Sequence, residues 1–169
     1  MDTLDAIMTR RSTRQFTDEP VTDAEIETVL RAAMAAPSAH NGRPWRFVVV
    51  RDRDTLGRLA KATPFAGPLE HAQAGIVVVT ERRIGPYAGF WVIDCAAAIE
   101  NALIAARSIG LGGVWIGVHP IRPFAYAVRR VIGAPRGVAV HSMIAIGRPA
   151  KEKPAADRFD EEWVHRERW

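Results

Sequence analysis

The sequence predicts a single domain that contains both helices and buried strands. Segments with the apolar spacing of amphipathic helices alternate along the chain with short apolar runs that are typical of strands. At 169 residues, the chain is long enough to bury a substantial core in one domain. It shows no internal repeat and no low-complexity segment, so these observations favour one domain over two.

The composition is that of an ordinary globular protein, with 48% hydrophobic and 25% charged residues. No apolar run approaches the length of a membrane span, and the N-terminus lacks an apolar signal segment. The one cysteine, Cys95, excludes an internal disulfide framework and fits a reducing cytoplasm. We therefore expect a cytoplasmic protein that has no membrane partner and in which Cys95 is a buried, inert thiol.

The net charge of +4 comes from 23 basic and 19 acidic residues. The arginines are scattered, whereas nucleic-acid binders usually carry a continuous basic stripe interleaved with aromatic residues. The charge therefore indicates small anionic ligands at least as well as DNA, and we expect no nucleic-acid partner. The five histidines show no metal-ligand spacing, so the sequence predicts no metal site.

Residues 2–9 have the apolar spacing of a short helix, which leads into the basic segment of residues 10–14. If that segment is extended, Arg10, Ser12 and Arg14 fall on one side, with Arg11 and Thr13 turned away or toward a ligand's far end. Two guanidinium groups and one hydroxyl would then form a receptor for a phosphate or carboxylate. A solvated basic turn is the alternative interpretation.

A second helix is predicted from its N-terminal signals. Thr22 and Glu25 have the spacing of a capping box, and Val21 with Ile26 forms a hydrophobic staple. The helical period continues to about Ala36, where the following proline ends it.

Residues 37–45 form a loop with two prolines, one glycine and several hydrogen-bonding side chains. Such a loop can hold rigid polar groups against a ligand, although a plain connector is the alternative. The apolar run 45–50 then predicts a strand buried on both faces. Further predicted elements are a helix over 54–62, a strand over 75–80, a loop or flap over 81–90, a helix over 123–132 and a strand over 139–147.

The helix that follows the flap is expected to be capped by Asp94 and to run to about Ser108. Residues 95–106 are apolar nearly all round, with the polar residues confined to one narrow strip. Such a helix lies at the centre of a domain or forms half of a subunit interface.

Residues 110–118 are a glycine-rich strand that does not fit the G-x-G-x-x-G pattern of dinucleotide-binding folds. We interpret its glycines as allowing a flat ligand to approach the backbone. The charged tail, residues 148–169, contains Phe159, Trp163 and Trp169, for which a partner subunit is a plausible packing surface.

Four segments, taken together, resemble the FMN-dependent nitroreductase family. They are residues 10–14, residues 37–45, residues 111–117, and residues 146–149 with 157–160 and Trp169. The similarity runs over nearly the whole chain, which looks like a short member trimmed between the second strand and Asp94. It implies an α+β fold with a central, mostly antiparallel sheet flanked by helices. It also implies an intertwined homodimer with FMN at the interface and the 148–169 arm packed on the partner.

The same resemblance implies which residues contact FMN. Basic and hydroxyl side chains would hold its phosphate, loop residues of the partner would lie beside the isoalloxazine ring, and strand residues would line the other side of the ring, with a backbone N–H near N5. The positions are Arg10, Arg11, Ser12 and Arg14 at the phosphate; Pro37, Ser38, Ala39 and Asn41 from the partner; Trp115, Ile116 and Gly117 at the ring; and Gly147 and Arg148 at the phosphate or ribityl end.

The loop departs from the family pattern at two points. Gly42 and Arg43 stand where such proteins often carry glutamines, so Arg43 could add positive charge near the flavin or the substrate. His40 occupies a variable position, facing either substrate or solvent. Both residues bear on substrate preference.

By this resemblance the protein is an oxidoreductase that works by a ping-pong mechanism. NADH or NADPH gives a hydride to flavin N5, and an electron-poor acceptor such as a nitroaromatic or quinone is then reduced at the same face. No catalytic side chain is expected, because the flavin carries the chemistry and the protein positions it. The alternatives are a same-fold flavoenzyme for dehalogenation or metabolite oxidation, and a non-catalytic FMN-binding redox protein.

Overall fold

The computed structural model describes residues 1–81 and 88–169. Within those ranges, the helices and strands alternate along the chain, joined by short 3-10 turns. In chain order they are α1 (Thr3–Thr9), α2 (Asp23–Met34), β1 (Trp45–Val50), α3 (Arg53–Ala60), β2 (Ala74–Glu81), α4 (Trp91–Ser108), β3 (Gly112–Gly117), α5 (Arg122–Val131) and β4 (Val138–Gly147). Among these described helices, none combines the length and the apolar character that crossing a bilayer requires.

The four strands form one antiparallel sheet in the order β1-β2-β4-β3. The α+β class with an antiparallel sheet is therefore confirmed. The pairing of β2 with β4 is regular except at one point: Val78 pairs with Ser142 but Val79 pairs with Val140, which leaves His141 as an extra residue in β4. This β-bulge lies beside the end of β3, because Ser142 also pairs with Gly117.

Hydrophobic cores lie on both faces of the sheet. One core packs α2 and α4 against Ile76, Val78 and Ile144, and the other packs α3 and α5 against Val77 and Met143. Adjacent residues of β2 point to opposite faces, so this central strand is buried on both sides, as its uninterrupted apolar run indicates.

The prediction that β1 is buried on both faces is wrong. Its bounds match the sequence expectation, but β1 is an edge strand whose middle residues are only partly covered. Arg46 is exposed, Phe47 and Val48 are half-buried, and Val49 keeps 37% of its surface exposed. β1 pairs with β2 on one side, and no described strand lies along its other side.

The start of α2 follows the predicted capping box. The Glu25 N–H donates to Thr22 Oγ1 at 3.2 Å, and the Thr22 N–H donates to Glu25 Oε2 at 2.8 Å. Val21 and Ile26 are both buried in the same core, as a hydrophobic staple requires. The helix ends at Met34, two residues before the predicted Ala36.

The start of α4 differs from the prediction. The helix begins at Trp91 after Phe90, so Asp94 lies inside its first turn and is buried rather than capping it. Of the predicted flap, residues 82–87 lie outside the described residues, and Ala88–Phe90 is a 3-10 turn. The C-terminal arm contains one 3-10 turn, Glu161–Trp163.

Candidate functional site

The basic segment after α1 is extended and lies against the start of β3. The Thr13 N–H donates to the Gly113 carbonyl at 3.0 Å, and Ser12 forms a parallel bridge with Gly113. The Thr13 side chain packs onto Gly112, where an added Cβ would lie 2.6 Å from Thr13 Oγ1. The predicted extended conformation is therefore confirmed, and Thr13 is turned toward the sheet.

A cleft, here called the basic cleft, lies between this segment and the start of the C-terminal arm. Arg10 pairs with Glu100 at 2.8 Å, and the Arg11 guanidinium donates to the Pro154 carbonyl at 3.3 Å. Strict alternation of side chains is therefore wrong at Arg11, because Arg10 and Arg11 line the same cleft. Its polar lining within the described chain is Thr9, Arg10, Arg11, Thr13, Arg107, Lys151, Glu152 and Lys153.

Ser12 and Arg14 are placed differently. The Ser12 carbonyl accepts a hydrogen bond from Lys153 Nζ at 3.0 Å, and Arg14 is exposed at the surface. Neither is among the residues that line the basic cleft in the described chain. The structure therefore brings Arg10 and Arg11 together and leaves Arg14 outside.

Two pairs of polar residues on α4 hold the segments that surround it. The members of each pair are seven residues apart, which returns the helix to nearly the same face. Glu100 and Arg107 contact residues of the basic cleft. Glu100 pairs with Arg10, and Arg107 donates to Thr9 Oγ1 at 3.1 Å and to the Glu152 carboxylate at 3.0 Å. The prediction of a single polar strip on α4 is wrong, because Glu100 and Arg107 face the basic cleft whereas Asn101 faces α2.

The second pair, Asp94 and Asn101, faces α2 and the loop of residues 37–45. Asp94 Oδ1 accepts the Ala39 N–H at 3.0 Å, and Asn101 Nδ2 donates to the Ala32 carbonyl at 3.1 Å. Asp94 is thus a buried anchor for the loop. Sequence reasoning missed this role because an acidic residue near a helix start also fits a cap.

The loop itself has a strained backbone. His40, Asn41 and Arg43 have φ values of 51°, 52° and 42°, in the left-handed region that non-glycine residues rarely adopt. Such conformations cost on the order of 1–3 kcal/mol each and cluster at ligand clamps. The Ser38 Oγ accepts the Arg43 N–H at 3.0 Å, which helps to hold the turn.

An open groove of about 580 Å³ lies beside this loop. It presents the Asn41 and Arg43 side chains next to an apolar floor made by Leu30, Trp45 and Phe47. Pro37 is exposed, and Ser38 and Ala39 are half-buried at the start of the loop. Of the predicted loop residues, Asn41 and Arg43 therefore line this groove, whereas Pro37, Ser38 and Ala39 precede it in the loop.

The glycines of β3 serve different purposes. An added Cβ at Gly112 would collide with Thr13, and one at Gly113 would lie 2.9 Å from Leu103 Cδ2. Our interpretation that these glycines admit a ligand is therefore wrong for Gly112 and Gly113, which admit side chains of the same chain. Gly117 is exposed and has nothing within 4 Å of the Cβ position, so only there does β3 leave open space.

Trp115 is half-buried near the end of β3, and Ile116 is buried in the second core. The indole Nε1 of Trp115 donates to Ser142 Oγ at 2.7 Å, and His141 Nδ1 lies 2.9 Å from the same oxygen. Burial lowers the pKa of His141 to about 4, helped by the nearby His119 and opposed by the hydrogen bond to the Val92 carbonyl.

Gly147 and Arg148 are engaged within the chain. An added Cβ at Gly147 would lie 2.8 Å from the Phe16 ring. The Arg148 guanidinium donates to Glu25 Oε1 at 2.9 Å and also pairs with Glu19, and the Glu25 hydrogen bond raises the pKa of Arg148. The structure thus places Arg148 by the start of α2 and Gly147 against the Phe16 ring.

Cys95 is fully buried, and burial together with the charge of Asp94 raises the pKa of its thiol to about 12. The expectation of an inert thiol is consistent with this environment. No group of three or more metal-ligating side chains occurs in residues 1–81 and 88–169.

Comparison with known proteins places the chain among flavin-linked reductases. The model of the nitroreductase family matches residues 7–83 and 66–148. A chain from Archaeoglobus fulgidus named "Putative NADH dehydrogenase/NAD(P)H nitroreductase" is 44% identical over 170 residues, which cover 98% of each chain. The oxygen-insensitive NADPH nitroreductase of Salmonella typhimurium is 31% identical over 96% of this chain and 72% of its own.

The fold agrees with these matches. The solved FMN-dependent nitroreductase of Clostridium difficile superposes with a TM-score of 0.92 at 26% identity, over 98% of this chain and 99% of that one. Sequence and structure therefore agree along nearly the whole length, and the chain belongs to the nitroreductase family.

Proposed function

We propose that the protein is an FMN-dependent oxidoreductase that uses NADH or NADPH to reduce electron-poor acceptors such as nitroaromatics or quinones. The names of its relatives support a flavin-linked NAD(P)H reductase. The observation that carries the proposal is the surplus of positive charge in the basic cleft. Its five cationic side chains face two carboxylates, those of Glu100 and Glu152, which leaves three positive charges for an anionic ligand.

The residues present fit FMN. A phosphate group carries roughly 1.5 to 2 negative charges at neutral pH, so the surplus of three positive charges in the basic cleft is enough to balance it. Arg10 and Arg11 would hold that phosphate, and Ser12 borders the site through the hydrogen bond from Lys153 to its carbonyl. Arg14, which lies outside the cleft, would have to turn toward the phosphate to contact it. A flat ring system needs a wall without projecting side chains, and the open Cβ position of Gly117 beside Trp115 provides one.

FMN supplies the hydride-transfer chemistry when bound. The chain's own contribution is binding and orientation. The basic cleft would fix the phosphate end, and Trp115 with Gly117 would form one wall for the ring. The cationic side chains would also favour the negative charge that reduction places on the cofactor.

We propose that the site is completed by a second copy of the chain. Within one chain, Asp94 and Glu100 lie about 120° apart around α4, so the loop and the basic cleft are held on different faces of the helix. A loop supplied by the partner, including Pro37, Ser38, Ala39, Asn41 and Arg43, would bring both halves to one cofactor.

Exposed apolar side chains support this homodimer. Leu4 and Met8 on α1 keep 70% and 59% of their surface exposed, and Ile93 on α4 keeps 65%. In the arm, Phe159 and Trp163 are each 77% exposed and Trp169 is fully exposed. Apolar surface on this scale marks an interaction surface, and residues 148–169 would pack on the partner. With its single reduced thiol, the enzyme would work in the cytoplasm.

The first experiment is flavin binding followed by turnover. The purified protein is expected to carry FMN or to take it up on addition, and then to oxidise NADH or NADPH with a nitroaromatic acceptor. A protein that neither contains nor takes up FMN would refute the proposal. One that binds FMN without turnover would be a non-catalytic redox protein.

A glycine pair tests the position of the ring. Gly117→Ala should leave stability unchanged but weaken FMN binding by about tenfold, since the new methyl group occupies the space left for the ring. Gly57→Ala is the matched control, because it also has nothing within 4 Å of its Cβ position but lies on α3, against the other core. Equal FMN affinity in both variants would mean that the ring does not lie over Gly117.

A further inference from the structure

The β-bulge in β4 brings the adjacent side chains of His141 and Ser142 into contact. In a regular strand, neighbouring side chains point to opposite faces, but the extra residue at His141 disrupts this alternation. His141 and Ser142 consequently meet, with Nδ1 and Oγ 2.9 Å apart. The other ring nitrogen, His141 Nε2, lies 3.0 Å from the Val92 carbonyl in the first turn of α4.

The chemistry of the partners fixes where each proton lies. The Val92 carbonyl can only accept, so His141 Nε2 carries the proton and Nδ1 is the acceptor. The indole of Trp115 can only donate, so Ser142 Oγ accepts from it at 2.7 Å and turns its own proton to His141 Nδ1. One continuous chain of donors runs from the indole of β3 to the backbone of α4, with every group satisfied.

The same residue also holds the chain beyond Gly117. The His141 carbonyl accepts the His119 N–H at 2.9 Å, and the His119 ring stacks over the His141 ring with centroids 6.4 Å apart. His141 is thus linked to the chain at both ends of the Trp115–Gly117 segment. Its imidazole is linked through Ser142 to the indole of Trp115, and its backbone carbonyl binds His119 just beyond Gly117.

We propose that His141 and Ser142 are positioning residues that orient Trp115 and the end of β3 as the wall of the flavin site. This inference rests on the proposed function. The role of the bulge would be to turn the His141 side chain toward Ser142, as bulges next to active sites often redirect a side chain. Neither residue needs to touch the cofactor, because both act through the indole and the backbone of β3.

The first test uses the flavin-free protein. In wild type, the Trp115 indole N–H, assigned by its loss in Trp115→Phe, should exchange slowly with solvent deuterium. In Ser142→Ala, which removes the acceptor, it should exchange at least about tenfold faster. Ser108→Ala is the matched control, because Ser108 Oγ donates to the Ala105 carbonyl at 2.8 Å inside α4, away from the network. Unchanged exchange in Ser142→Ala would overturn the proposed hydrogen-bond chain.

The second test is a double-mutant cycle on FMN affinity. Ser142→Ala should weaken FMN binding by about tenfold in wild type but by less than about twofold in the Trp115→Phe background, where no indole N–H is left to orient. His141→Phe should weaken binding in the same way, because Ser142 then loses its acceptor. Equal loss in both backgrounds, or loss in neither, would overturn the positioning role. Absence of FMN binding by wild type would instead refute the proposed function, and the exchange experiment would still decide the network.

Discussion

The buried imidazole of His141 should make the fold sensitive to mild acid. Its side chain is enclosed between β4 and α4, and protonation would place a charge there. The new Nδ1–H would also face the proton that the Ser142 hydroxyl donates to Nδ1, so that hydroxyl would have to turn away. The charge of His119, whose ring stacks on that of His141, lowers the pKa of His141 further. Charging His141 is therefore costly in the folded protein and easy in the unfolded chain.

The size of the effect follows from the two pKa values. Burial lowers the pKa of His141 from 6.5 to about 4, so between these values the unfolded chain binds more protons than the folded protein. Stability must then fall as the pH drops through this window, by about 2 kcal/mol between pH 7 and pH 5. For a domain of this size, that loss corresponds to a melting temperature lower by roughly 4–8 °C.

Urea denaturation of the flavin-free protein at pH 7 and pH 5, at one protein concentration, measures this difference. The pKa of Glu25 is lowered from 4.5 by the backbone hydrogen bond from Thr22, and that of Asp52 is lowered from 3.8 by Thr55, so both carboxylates titrate below the window. His141→Phe should be less stable than wild type at pH 7 but should lose much less on acidification. If wild type and His141→Phe lose the same free energy between the two pH values, the reasoning is refuted.

Three further changes test the contacts that shape the site. Gly112→Ala should lower the free energy of unfolding by about 1–3 kcal/mol, and adding Thr13→Gly should restore part of it because the colliding side chain is removed; urea denaturation measures both. Asp94→Ala should leave the Ala39 N–H without its partner, cost about 1–3 kcal/mol and speed amide exchange in the loop, and unchanged exchange would argue against the anchor. Ile93→Glu should shift the protein toward monomer in sedimentation velocity, because a charge would replace an exposed apolar side chain; a persistent dimer would place the interface elsewhere.

Local signals in the sequence were sufficient for most of the fold. The capping box at Thr22 and Glu25 works over three residues, and the apolar run 45–50 directly follows a proline-containing loop, so the sequence predicts both elements at their observed starts. The exposure of Val49 was not predictable in this way, because whether a strand lies at the edge or centre depends on the order of the sheet. Local pattern specifies the element, and pairing specifies its environment.

The candidate site was harder to predict because its contacts join distant segments. From sequence, Gly112 is interpreted as space for a flat ligand, and the family resemblance puts Gly147 at the phosphate or ribityl end of FMN. In the structure, Thr13 packs against Gly112 and Phe16 against Gly147, from nearly a hundred residues or more away in sequence. The bulge at His141 has no local signature, since it exists only as a mismatch of register between β4 and β2. Both features become visible only when the partner strand or segment is known.

The polar residues of α4 are spaced seven residues apart, as the sequence indicates, but they form two strips and not one. Glu100 and Asn101 are adjacent, but about 100° separates neighbouring residues around a helix, so they point in different directions. Each has a partner one heptad away, Arg107 for Glu100 and Asp94 for Asn101, and the two pairs hold the basic cleft and the loop respectively. If each loop completes the site of the other copy, a single α4 supports parts of two cofactor sites. A substitution at Asp94 would then impair the site that this chain's loop completes, in which the basic cleft belongs to the partner. A substitution at Glu100 would instead impair the site built on the basic cleft of the same chain.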